Sequence, residues 1–111
     1  MPFDNRKFFR LAYPDAMMAV IVINGREYLV PEISEGGLRI RCNQFLEFRN
    51  GENVEATIYF QDGTEVPISG EISRRDSKDY VIAPLDGISF KLIVNEQRKL
   101  LQHYPFSRKP Q

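Results

Sequence analysis

The chain is 111 residues long, enough for one domain with its own core and too short for two. Fifteen basic residues balance fifteen acidic ones for a formal net charge of zero. Proteins that coat nucleic acid or lie on anionic membranes carry a basic excess, so no DNA or RNA partner is expected and an anionic ligand has to be held by a local cluster. The one cysteine, Cys42, has no internal disulfide partner and reads as a small buried strand residue in a reducing compartment. The longest apolar run, Ala16 to Ile23, falls well short of the ~20 residues that span a bilayer, and the start of the chain lacks a signal-peptide pattern. The expectation is a soluble, cytoplasmic protein with no membrane insertion.

Residues 1–15 hold Pro2 and Pro14 and show no clean period, so they read as an arm leading into the first strand. "MMAVIVI" is β-branched and runs into Asn24-Gly25, a type I′ hairpin signal because both residues accept positive φ. "REYLVPEI" is the return strand, and Gly36-Gly37 breaks the chain before "LRIRC", where Leu38, Ile40 and Cys42 alternate with Arg39 and Arg41, expected exposed, with a contribution to a binding site as the lesser alternative. In "VEATIYF", Val54, Ala56, Ile58 and Phe60 share one face. "QDGTE" is a second hairpin turn and "VPISGEIS" the strand after it, with Gly70 at a bulge or tight bend. "SRRDSKD", Ser73 to Asp79, reads as a polar turn before the last strand, "YVIAPL".

Beyond Asp86-Gly87 the period changes. Phe90, Ile93, Val94, Gln97, Leu100, Leu101 and Tyr104 recur at helical spacing, Ser89 or Asp86 can cap the start, and Pro105 ends the run. The expected architecture is mainly β: about six short strands in a small antiparallel barrel, closed or partly closed, with a C-terminal α-helix laid over an open edge. Its parts are an arm at 1–15, a barrel at about 16–85 and a helix at about 88–104, all in one domain.

Catalytic vocabulary is missing. His103, the single histidine, has no nucleophile, orienting carboxylate or companion metal ligand beside it, and suits a helix C-terminus instead. No glycine loop opens a helix to cradle phosphate. The expectation is a binding module, with neither a metal nor a cofactor.

Two short motifs carry the binding chemistry. "RKFFR" sets Arg6 and Arg10 four residues apart on the arm, and guanidinium groups grip phosphate and the O6/N7 edge of guanine while their flat faces stack on purines. "EISEGG", Glu32 to Gly37, ends one strand and starts the next. Residues i and i+2 of an extended segment point the same way, so Glu32 and Ser34 present an acceptor and a donor to one spot. Gly37 lets a ligand approach the backbone or lets the chain turn.

RxxxR, a strand and hairpin, then a [D/N]xSxxG-like motif, a six-stranded barrel and a C-terminal helix: this order resembles the PilZ domain, the bacterial receptor module for cyclic di-GMP. Arg6 and Arg10 match its arginines, and Ser34 and Gly37 match the serine and glycine of its second motif. Glu32 stands where the family has Asp or Asn, keeping the acceptor but adding a methylene. Asn5 stands where many relatives carry a further arginine that the family implies helps to hold a second ligand copy. Arg74 resembles a position bordering the nucleotide. The resemblance implies a cyclic di-GMP-binding regulatory module whose arm orders on the ligand and which signals through a protein partner, an effector in bacterial motility or biofilm formation. Its rivals are a ligand-independent adaptor of the same fold and a small-barrel RNA or single-strand binder.

Overall fold

The computed structural model describes residues 10–42, 48–76 and 78–103, so Asn5 and Arg6 lie outside the described residues. Within them run β1 (Leu11–Ala12), a 3-10 turn (Asp15–Met17), β2 (Ala19–Ile23), β3 (Arg26–Ile33), β4 (Leu38–Arg41), β5 (Asn53–Tyr59), β6 (Glu65–Asp76), β7 (Asp79–Asp86) and the helix α1 (Phe90–His103). The strands pair antiparallel in the order β1-β3-β2-β5-β6-β7-β4, and β4 pairs back onto β3. With two-residue β1 outside the ring, six strands close a barrel, as the alternation of the sequence predicts.

Turn chemistry sets the registers. Asn24 and Gly25 have φ of 53° and 80°, the mirror-image turn that matches strand twist, and Ile23 faces Arg26 across it. Between β5 and β6, Phe60 N donates to Thr64 O at 2.9 Å and Thr64 N donates to Asp62 Oδ1 at 3.0 Å. The β6–β7 register shifts on both sides of Ile72, and a Cβ on Gly70 would lie 2.6 Å from Ile82 Cγ2. Gly70 is thus the bend the sequence suggests, required by close packing of the two strands.

Isoleucine fills the interior. Ile21, Ile33, Ile40, Ile58, Ile72, Ile82 and Ile93 are fully enclosed, and full burial of such a side chain contributes about 1.5–3 kcal/mol. Cys42 is buried among them.

Two elements differ from the sequence reading. The "SRRDSKD" segment is mostly strand, since β6 continues to Asp76. Arg75 stacks over the Tyr80 ring at 4.8 Å and donates to Cys42 O at 3.3 Å, which gives the charged stretch partners that a solvated turn lacks. The helix does not lie over an open sheet edge, because the β3–β4 pairing closes the ring. It sits instead beside the β5–β6 turn and the segment that follows β1, as its contacts to Asp62 and Tyr13 show. Its inward face also differs: Ile93 and Glu96 are buried, while Phe90 and Leu101 are exposed. The cap is Ser89, whose Oγ accepts from Leu92 N at 3.1 Å.

Glu96 is buried because it is partnered. Tyr13 Oη donates to Glu96 Oε1 at 2.7 Å, Lys99 Nζ donates to Glu96 Oε2 at 2.8 Å, and Lys99 also reaches Asp62. Burial, then the bond to Glu96, pushes the Tyr13 phenol far above its ordinary range. Bonds from Lys99 and Thr64 hold the Asp62 carboxyl well below its own. Desolvation lowers the Lys99 pKa, but the bonds to Asp62 and Glu96 outweigh it and the net shift is upward.

Tyr13 and Lys99 both hold their protons more tightly folded than unfolded, where they titrate near about 10 and 10.4. Their stabilisation is therefore complete below about pH 10 and is lost as pH rises beyond it. Tyr13→Phe is expected to cost about 1.5–3 kcal/mol in urea unfolding at neutral pH. The same variant should flatten the alkaline loss, and a wild-type slope above pH 10 would count against this network.

Candidate functional site

The site is built on the outer wall of the barrel. Register places Ala12 opposite Glu32, Glu32 opposite Arg39, Arg39 opposite Val81 and Val81 opposite Arg74, so one row crosses β1, β3, β4, β7 and β6. Strands lie about 4.8 Å apart, and residues in register share a face, so these side chains form one platform. Their neighbours Ile33, Leu38, Ile40, Ile72 and Ile82 point into the core. Arg10 flanks the row at the start of β1, and the Ser34–Gly37 turn borders it.

Together they line a cleft of about 320 Å³, whose walls include Arg10, Glu32, Ser34, Gly37, Arg39 and Arg74, with Val81 and Ala83 on its apolar floor. That volume is at the low end of the range of about 300–1,000 Å³ for small-molecule sites. A wider groove elsewhere on the wall, about 660 Å³, is bordered by Glu55 and Asp86 and by no lysine or arginine. Of these two grooves, the first suits an anion.

The structure brings Arg10, Glu32, Ser34, Gly37 and Arg74 into one place. It also gives several of them work the sequence does not reveal. Ser34 Oγ donates to Gly37 O at 3.0 Å and accepts from Gly37 N at 3.1 Å, and Ser34 N donates to the same carbonyl at 2.8 Å. The hydroxyl pins its own turn, so donating to a ligand requires rotating its proton away from Gly37 O. A Cβ on Gly37 would stand 2.8 Å from Ile82 O and 3.1 Å from Ala83 Cβ, so glycine here permits close approach to β7. Glu32 is engaged on both oxygens: Arg10 Nε is 3.6 Å from Oε2 and Arg39 Nε 3.5 Å from Oε1.

Arg39 is the residue that strand alternation assigned to open surface. It is one-quarter exposed and lies on the cleft wall, its Nη1 also 3.8 Å from Asp79 Oδ2. Alternation shows which face a residue is on; the arm and turn that raise walls around that face do not appear in the local pattern. Among the described residues no cluster of histidine, cysteine and carboxylate side chains forms a metal site. No helix among them is long and apolar enough to cross a membrane.

A family model for the PilZ domain matches residues 4–107. The chain belongs to the PilZ domain family. PilZ domains are regulatory binding modules, and the cleft of this one lies between Arg10 and the Ser34–Gly37 turn. Among solved structures, the Bacillus subtilis inhibitor of motility MotI/DgrA aligns with 97% of this chain at a TM-score of 0.56 and 17% identity. That likeness is one of fold, and this PilZ domain covers 55% of the MotI/DgrA chain, about half its length. No curated protein sequence matches significantly.

The turn geometry separates two substitutions that share a motif. Gly37→Ala drives a methyl into the β7 backbone and is expected to cost about 1–3 kcal/mol. Ser34→Ala removes a hydroxyl bonded at both ends and should cost about 1 kcal/mol. Thermal unfolding without ligand reads both, and an unchanged midpoint for Gly37→Ala would contradict the close approach of turn and strand.

Proposed function

We propose that this PilZ domain is a receptor for cyclic di-GMP that acts through a protein partner in the bacterial cytoplasm. One observation carries the reading: Arg10 of the first motif and the Ser34–Gly37 turn of the second border one cleft, with Arg39 and Arg74 on the same wall. Guanidinium groups suit both chemical features of the ligand, since they bond phosphate and guanine edges in pairs and stack on purine faces. The apolar floor at Val81 and Ala83 suits a planar base.

In this reading Arg6 and Arg10 grip guanine and phosphate, and the Ser34–Gly37 turn holds the opposite side of the dinucleotide. The stretch ahead of Arg10 settles on the ligand and so alters the surface offered to an effector. A second reading, a ligand-independent adaptor, has one observation in its favour: Glu32 already pairs with Arg10 and Arg39.

Isothermal titration calorimetry decides between them. The receptor reading expects saturable binding of cyclic di-GMP that weakens on the order of ten- to hundredfold in Arg10→Ala. No heat from the wild-type chain at ligand concentrations far above micromolar would remove the receptor reading and point to the adaptor.

A further inference from the structure

An alternating run of charge crosses the outer wall beside the cleft. Arg10 faces Glu32 at 3.6 Å, Glu32 faces Arg39 at 3.5 Å, Arg39 faces Asp79 at 3.8 Å and Asp79 faces Arg41 at 3.4 Å. Its pivot is Glu32, whose two oxygens meet two different guanidinium groups. A carboxylate held between two arginines occupies the position an oxyanion of a ligand would take, because the donors converge on that point.

The bridge is built to be exchanged. Both contacts exceed the usual length of about 2.7–3.2 Å for an N–H···O bond. The side chains of Arg10, Glu32 and Arg39 are 48%, 23% and 25% exposed, and ion pairs open to solvent are weak. Arg39 keeps its second carboxylate when Glu32 leaves, since Asp79 stays against its Nη1 from the neighbouring strand. The cleft thus has an arginine held in place and a carboxylate that can depart.

We propose that Glu32 is the resident anion of the cleft, and that a phosphate of the ligand displaces it from between Arg10 and Arg39. Arg39 then becomes a phosphate-anchoring residue that neither motif contains. The inference rests on the cyclic di-GMP reading for its ligand, and it stands against the other role open to an acceptor at Glu32, a bond to the N1–H and N2–H₂ edge of guanine. A guanine-edge acceptor aids binding through its charge, whereas a resident anion opposes it. The two roles predict opposite signs for the neutral variant.

The test is calorimetric titration of the full chain, Glu32→Gln, Arg39→Gln and the double variant with cyclic di-GMP at low and high salt, with pyrophosphate as a second probe. Glu32→Gln is expected to tighten cyclic di-GMP binding about three- to thirtyfold, most strongly at low salt. Arg39→Gln, which keeps an aliphatic stem on the strand, should weaken it about tenfold. In the double variant the gain from Glu32→Gln shrinks, because the carboxylate had one arginine fewer to release. Weaker binding by Glu32→Gln, or wild-type binding by Arg39→Gln, overturns the inference and leaves the cyclic di-GMP reading standing. If only pyrophosphate binds, tighter to Glu32→Gln and weaker to Arg39→Gln, the cyclic di-GMP reading falls and the resident anion stands. If neither probe binds, both fall. Thermal midpoints check that the variants fold; should Arg39→Gln unfold, Arg39→Lys supplies the same arm, expected to weaken binding by losing the fork geometry while keeping the charge.

Discussion

The site depends on β3 being paired along both edges over Glu32 and Ile33. On one edge β2 accompanies β3 as far as Val30, and β1 takes over at Glu32 and Ile33; on the other edge β4 sets Arg39 and Leu38 against the same two residues. Pro31 marks the handover. It has no N–H to give a ladder, its carbonyl accepts from Tyr13 N at 2.9 Å, and the β3–β4 register shifts between Leu29 and Glu32. One strand thereby closes the barrel on β4 and fixes the arm through β1. Without that double pairing, Arg10 and Arg39 would have no common carboxylate between them.

Most of the barrel was legible because alternation and turn chemistry are local signals. Asn24-Gly25 fixes its hairpin within two residues, and Ile58 and Phe60 declare their face by spacing alone. What stayed hidden was decided by distant partners. β1 is two residues long, below the length at which any period can be read, and exists because β3 offers it an edge. The continuation of β6 needs Arg75 to find the Tyr80 ring, five residues on and across a hairpin. Glu96 reads as a solvent residue on any helical wheel and is buried because Tyr13, 83 residues earlier, places a phenol against it.

For the cleft, the two motifs located Arg10, Ser34 and Gly37, and the fold brings those residues together. Their physical roles were less visible than their positions. Gly37 is small so that a turn can touch β7, and Ser34 spends its hydroxyl on that turn, so both serve the shape of the wall before any ligand arrives. Arg39 belongs to neither motif and reaches the cleft through register with Glu32 and Val81. A sequence motif records residue types at fixed spacing; cross-strand neighbours are fixed by pairing, and pairing is a property of the whole sheet.

The neutral composition and the cationic cleft are reconciled by the same pairing. Arginines at 10, 39 and 41 alternate across strands with Glu32 and Asp79, so charge is balanced along the wall rather than cleared from it. The arm that bears Arg10 is anchored just beyond it: Leu11 is buried in the core, Tyr13 N is bonded to Pro31 O, and the Tyr13 phenol is bonded to Glu96 on the helix. The backbone at Arg10 is therefore positioned by the barrel and the helix together, and only its side chain is left to exchange partners. An arginine positioned in this way loses less freedom on binding than one on an unanchored tail, and that saving appears as affinity. The cost of holding it lies in the buried Tyr13–Glu96 bond, far from the ligand, so the helix contributes to the cleft without touching it.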